Sequence, residues 1–242
     1  LLNLTCGCCA VIMALWGLYL GAFLFILGSV VFDFLDGFSA RLLKVYSDIG
    51  KELDSLADLV SFGLAPSLIL FQWYYESGHQ YTFPAFVPLI ITAFSALRLA
   101  KFNIDTRQES DFIGLATPAN AMIIAPMAAY ADICRLNGSS SFVNLLLDSG
   151  WFIPTISIIL ALLLISEIPM FSLKKKRVSF SKAPLFSSFI VIAIIVLILG
   201  MIFIPHTGSV LETLPLIISV IFTLYVLINI FANIFRIARK ES

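Results

Sequence analysis

Charge is scarce in this chain. Only 12% of its 242 residues are Asp, Glu, Lys or Arg, while 60% are hydrophobic, against roughly a quarter charged in an ordinary soluble domain. That excludes a soluble globule. Fifteen basic residues balance fifteen acidic ones, so no net positive field exists to recruit nucleic acid, and none is expected as a partner. Histidine occurs only twice and cysteine four times. A structural zinc site wants four convergent ligands, so Cys6, Cys8, Cys9 and Cys134 read as small hydrophobes, without a disulfide framework. No charged n-region with a cleavage site opens the chain, which begins at Leu1 rather than Met, so no signal peptide is read and further N-terminal residues are expected to have been lost. No polar stretch is long enough for a second domain: residues 1–242 read as a single membrane-embedded domain.

What is abundant is apolar sequence. A transmembrane helix needs about 20 apolar residues at 1.5 Å rise each, and eight segments approach this, at roughly 3–17, 18–45, 52–75, 84–104, 117–135, 151–171, 184–204 and 211–235. Helices are the economical way to cross lipid, because every backbone polar group is satisfied within the segment. The expected fold is therefore all-α, a polytopic membrane helix bundle of about eight transmembrane helices. Pro84, Pro118 and Pro184 stand near helix starts, and Thr117 before Pro118 is a reasonable N-cap. Fourteen of the fifteen basic residues fall on one set of connections and the C-terminus. Only Arg135 lies on the other side, so the positive-inside rule puts the former set in the cytoplasm. The run Lys174 to Arg177 sets topology in this reading.

The costly residues are Asp33, Asp36, Asp54 and Asp58, since a carboxylate on a membrane helix is expensive unless it faces the bundle interior and is compensated. On one helix, Asp33, Asp36, Gly37 and Ala40 share an arc of about 100°. On the next, Asp54, Asp58 and Ser61 share a face. The short connection containing Gly50 packs the two helices antiparallel, so the four Asp should converge near the cytoplasmic surface. Four carboxylates stay ionised together only if cations neutralise them. Two divalent hard cations supply the matching charge, and oxygen-only ligands select Mg²⁺, Mn²⁺ or Ca²⁺ over zinc. Such metal pairs serve phosphoryl chemistry, so the substrate should carry phosphate. A solvated helix end is the plainer alternative; it suits Asp48 and Glu52 better than four Asp interleaved with Phe32, Phe34, Leu35, Leu53, Leu56 and Leu59.

The pattern Asp33-x2-Asp36-Gly37-x2-Ala40-Arg41-x8-Gly50-x3-Asp54-x3-Asp58 resembles the CDP-alcohol phosphotransferase signature at every fixed position. Further segments resemble its phosphatidylserine synthase branch: Asn3 to Gly7, Ser61 to Pro66, Arg98 to Asn103 and Phe112 to Ala119. Ala116 departs from the Pro often found there. The resemblance implies a six-helix catalytic core with extra C-terminal helices, homodimers, and dependence on two divalent ions, Mg²⁺ or Mn²⁺. It implies Asp33, Asp36 and Asp54 as metal ligands, and Asp58 as ligand and general base. Asp33, Gly37, Ala40 and Arg41 are implied for the CDP moiety, together with Asn3 and Thr5 near the nucleotide.

The implied reaction transfers a phosphatidyl group from CDP-diacylglycerol to L-serine, at the cytoplasmic face of the inner membrane. Lys44, Arg98 and Lys101 are available to hold a phosphate or the serine carboxylate, and Ser61 is nominated for the acceptor pocket. For these the alternatives are snorkelling at helix ends and ordinary interhelical hydrogen bonding. Gly63 and Pro66 are expected to kink the third helix. Residues 151–235 read as apolar scaffold, and His206 as an exposed loop residue. Two other functions are open: a relative using glycerol 3-phosphate or inositol phosphate, which should want more basic residues, and a cation-coupled transporter or channel, which should hold its acids at the midplane.

Overall fold

The computed structural model describes residues 1–43, 47–80, 82–104, 112–170, 184–203 and 210–238. Helices make up nearly all of it: α1 (Leu2–Leu15), α2 (Tyr19–Leu43), α3 (Asp48–Asp58), α4 (Ala65–Glu76), α5 (Ile90–Ile104), α6 (Thr117–Leu136), a short α7 (Phe142–Leu147), α8 (Phe152–Ile165), α9 (Pro184–Phe203) and α10 (Val210–Ala238). Each of the eight apolar segments is built on helix among the described residues, the sixth only as far as Ile165. Among the described residues, four stretches are long and apolar enough to cross a membrane: Tyr19–Ser39, Ile49–Glu76, Phe83–Ile104 and Glu212–Ile234. The chain is a polytopic membrane helix bundle. α1 and α8 have 14 residues each, about 21 Å at 1.5 Å per residue, so they fall short of a full span alone.

α6 is the centre of the bundle. It packs against α2, α4 and α10, and every residue from Ala119 to Pro126 is buried. Its alanines let neighbouring helices approach closely, where packing and interhelical hydrogen bonds replace the hydrophobic drive that lipid cannot supply. Being enclosed by protein, it need not be as apolar as a lipid-facing span. Phe62, Ile69, Leu70, Trp73 and Ile124 are fully buried around it, whereas Leu24, Val31, Ile159, Leu162 and Ile194 stand exposed on the outer faces.

The expected break in the third span is a π-helix, Leu59–Leu64, joining α3 to α4, with Pro66 in the first turn of α4. π-turns inside helices recur at functional sites, and this one begins at the residue after Asp58. Two glycines let its neighbours close in. A Cβ on Gly7 would collide with Ser61 Oγ and lie 2.9 Å from the Ser61 Cα; one on Gly63 would stand 3.0 Å from Ser95 Cβ. α1 and α5 thus flank the π-helix at contact distance.

A two-residue antiparallel pair, Phe112 to Met170 and Ile113 to Pro169, was not expected from the sequence. Gly114 follows it at φ +75°, where a Cβ would lie 2.7 Å from the Leu164 carbonyl oxygen. Only glycine fits that turn without strain. With Gly114 N–H on Ile168 O and Leu115 N–H on Leu163 O, it fixes where α6 begins. The cap there is Ala116, and the Thr117 side chain makes no capping bond. The expected Thr117 cap is therefore corrected: the extended backbone enforced by the Gly114 turn makes Ala116 the flanking residue and takes Thr117 into the helix, where its side chain is fully buried.

Candidate active site

α3 starts at a built cap. Ser47 is extended and its Oγ accepts from Gly50 N–H at 3.1 Å; a Cβ on Gly50 would lie 2.9 Å from that oxygen. The helix that follows carries Asp54 and Asp58 four residues apart, hence on one face. Asp33 of α2 meets them. One carboxylate oxygen from each of Asp33, Asp54 and Asp58 lies within 4.8 Å of the others. Asp33 and Asp58 are half-buried and Asp54 is exposed. Three anionic oxygens this close repel one another, and a hard divalent cation between them is the chemistry that such a donor set suits.

Asp36 stays outside that trio. It is three residues further along α2, about 4.5 Å down the axis, and its side chain is 57% exposed. Gly37 is half-buried beside it. Ala40 and Arg41 lie in the last turn of α2, with side chains outside the described residues, as Lys44 is altogether. The basic run Lys174 to Arg177 and His206 also lie outside them.

Asn3 is the hub of the site. Its Nδ2 donates to Asp58 Oδ1 at 3.0 Å, while its backbone carbonyl accepts from Ser61 Oγ at 3.1 Å and Ser29 Oγ at 3.2 Å. α1, α2 and the π-helix are thereby tied at one residue, which is 2% exposed. Ser61 does face the same helix as Asp58, but its hydroxyl hydrogen is spent on this interhelical bond. Thr5 turns away: its Oγ1 donates to the Leu1 carbonyl at 3.2 Å in an exposed position. Asn3 was expected near the nucleotide through resemblance alone, and its bond to Asp58 is one that no spacing rule would reveal.

Arg98 lies on α5, three residues from Ser95, and is only 7% exposed. Its guanidinium is 5.9 Å from the Phe102 ring centre, and Asp58 and Tyr225 of α10 lie in its electrostatic surroundings. A snorkelling arginine would reach for the surface; this one is held inside. Lys101, one turn on, is exposed. Tyr225 belongs to the stretch read as scaffold, yet it stands at the site because α10 packs along α6. Lys51 Nζ donates to Asn103 O at 3.0 Å and Asn103 Nδ2 to Ser55 Oγ at 3.0 Å, clamping α5 alongside α3 in antiparallel register.

The arrangement can bind cations through three carboxylates, orient one carboxylate with an amide, and offer a buried guanidinium to an anion. Comparison with known proteins agrees with this chemistry. The family model for CDP-alcohol phosphatidyltransferase matches residues 1–225. The chain is 40% identical over 125 residues to the CDP-diacylglycerol–serine O-phosphatidyltransferase of Bacillus subtilis (strain 168), covering 50% of this chain and 68% of that protein. It is 34% identical over 158 residues to the protein of the same name from Methanocaldococcus jannaschii, covering 65% and 67% respectively. With the one from Helicobacter pylori (strain J99) it shares 41% identity over 102 residues, or 41% of this chain and 42% of that protein. The match to the family model runs through nearly the whole bundle and takes in every residue of the acidic cluster, so the chain belongs to the CDP-alcohol phosphatidyltransferase family.

Proposed function

We propose that this protein transfers the phosphatidyl group of CDP-diacylglycerol to the hydroxyl of L-serine, giving phosphatidylserine and CMP. The observation that carries the proposal is the convergence of Asp33, Asp54 and Asp58, with Asp58 held by Asn3. The relatives' names supply the serine acceptor.

Asp33, Asp54 and Asp58 are the residues to hold divalent metal, with Asp36 as a further ligand on the same helix. Bound Mg²⁺ or Mn²⁺, two ions in this proposal, would supply charge stabilisation to the phosphate oxygens. The chain's own part is positioning and proton transfer. Asn3 fixes one oxygen of Asp58, so the carboxylate keeps a defined orientation as it accepts the proton of the serine hydroxyl. That serine oxygen forms a bond to the lipid-side phosphorus, and the bond from this phosphorus to the CMP oxygen breaks, the electron pair leaving with CMP. Gly37, Ala40 and Arg41 are assigned to the CDP moiety. Arg98, Lys44 and Lys101 are the cations for the pyrophosphate or the serine carboxylate. The proposal includes a homodimer in the inner membrane with the site at the cytoplasmic face.

The test is an acceptor competition. Purified protein in detergent, given CDP-diacylglycerol and Mn²⁺, should release CMP with L-serine and form phosphatidylserine. CMP release only with glycerol 3-phosphate or inositol phosphate would overturn the serine assignment. Cation flux through vesicles without any CMP release would instead point to transport.

A further inference from the structure

Buried polar groups in folded proteins are almost always hydrogen-bonded, so those that are not call for an explanation. Among the described residues, several such atoms lie near one another in depth. Both side-chain polar atoms of Asn120 lack a partner, as do Thr117 Oγ1, Ser95 Oγ, Arg98 Nε and Asn3 Oδ1. Asn120, Thr117 and Ser95 are 0% exposed. These residues come from three helices that all pack against the π-helix following Asp58: Asn3 from α1, Ser95 and Arg98 from α5, Thr117 and Asn120 from α6.

Helix register puts them at one level. At the far end of α6, Asp132 accepts from the backbone N–H groups of Tyr19 and Leu20. α2 and α6 run antiparallel, so the same number of turns back along α6 and forward along α2 brings Asn120 level with Val31 and Phe32, the two residues that precede Asp33. Ser219 of α10 donates to Ile123 O at 2.7 Å, and α10 also runs antiparallel to α6. Tyr225 is therefore level with Thr117, and Tyr225 couples to Arg98. On the remaining side, Ser95 touches Gly63, so Arg98, three residues nearer the site end of α5, comes level with Val60.

We infer that Thr117 and Asn120 of α6, together with Arg98 and Ser95 of α5, form the subsite that grips the amino and carboxylate groups of an amino-acid acceptor beside Asp58. The inference rests on the serine reading above and deepens it. Arg98 presents a guanidinium fork suited to a carboxylate. Asn120 offers an amide oxygen to an ammonium and an amide N–H₂ to a carboxylate, and Asn3 Oδ1 is a second acceptor next to Asp58. A zwitterion uses donors and acceptors alike. A phosphate monoester would use donors only and leave the amide oxygens of Asn3 and Asn120 unmatched.

The experiment measures initial rates of CMP release by the purified full-length chain, varying L-serine at saturating CDP-diacylglycerol and the reverse. Asn120→Ala should raise KM for serine about tenfold or more and Thr117→Val about threefold, the range expected for lost hydrogen bonds to charged and neutral groups. KM for CDP-diacylglycerol should move less than about twofold, and Asn120→Ser should recover part of the loss. Where Asn120→Ala fails to fold, Thr117→Val and Asn120→Ser carry the same test. An unchanged serine KM in folded variants, with a wild type that uses serine, would mean the buried amide is hydrated packing and would overturn the inference alone. A wild type that ignores serine but accepts glycerol 3-phosphate would overturn the serine reading, and this subsite with it.

Discussion

The two ends of the bundle both carry acids on membrane helices, and they treat them in opposite ways. At the end where α4 and α6 finish, acids are interleaved with their own partners. Tyr19 Oη donates to Glu76 Oε2 at 2.8 Å, and Arg135 lies 3.8 Å from the same oxygen. Arg135 also reaches Asp148 at 3.4 Å, where Trp73 Nε1 and Ser77 Oγ donate at 2.9 Å each. The guanidinium stacks 4.2 Å over the Trp73 ring. Asp132 accepts from the first amides of α2, where helix N–H groups and the dipole favour an anion. At the other end, Asp33, Asp54 and Asp58 are gathered against each other. Acids dispersed among a cation, donors and a helix start make a clamp that holds helices together. Acids gathered together leave an uncompensated negative charge, which the proposed divalent cations would neutralise.

The contrast breaks most sharply under substitution of the acids themselves. Asp58→Asn should lower CMP release by about a thousandfold, in the range for losing a general base, while Asp148→Asn should leave turnover per folded molecule near wild type. Comparable losses in both, assayed in the same detergent, would dissolve the distinction. Chelation comes next: EDTA should abolish turnover, and Mg²⁺ or Mn²⁺ but not monovalent salt should restore it, without a change in the folding of the α4–α6 end. Asn3→Ala should reduce kcat about tenfold, since it releases one Asp58 oxygen, and raise KM for serine, whose ammonium loses the Oδ1 acceptor; a change confined to KM for CDP-diacylglycerol would place Asn3 on the nucleotide instead. The smallest effect belongs to the clamp. Arg135→Ala removes two partly exposed ion pairs and a stacking contact, together worth about 1 kcal/mol, so thermal denaturation should fall by about 3 °C with kcat unaltered.

Much of this was legible in the sequence, and for a reason tied to cost. Acids are so expensive in lipid that Asp33, Asp54 and Asp58 announce a site by their presence, and helical spacing alone puts Asp54 and Asp58 on one face. The apolar runs likewise gave away the helices. What stayed hidden depends on which faces meet. Uniformly apolar helices carry little moment, so nothing in the pattern around Asn120 or Tyr225 tells which neighbour they address. Asp36 shares the arc of Asp33, but angular position says nothing of the offset along the axis that leaves it outside the cluster. Ser61 was read on the Asp58 face correctly, yet its bond to a backbone carbonyl of α1 cannot be seen from spacing. The π-helix and the Gly114 turn are likewise products of packing, since each brings a helix to a distance that only a glycine permits.

The central claim is that the Asp33–Asp54–Asp58 cluster is a divalent-cation site, and direct binding tests it without reference to turnover. Mn²⁺ titrated into the purified full-length chain and followed by electron paramagnetic resonance should show two bound ions per chain in the wild type and in Asp148→Asn, with uptake lost in Asp54→Asn and Asp58→Asn. Equal uptake by all four proteins, or none by the wild type, would contradict the account.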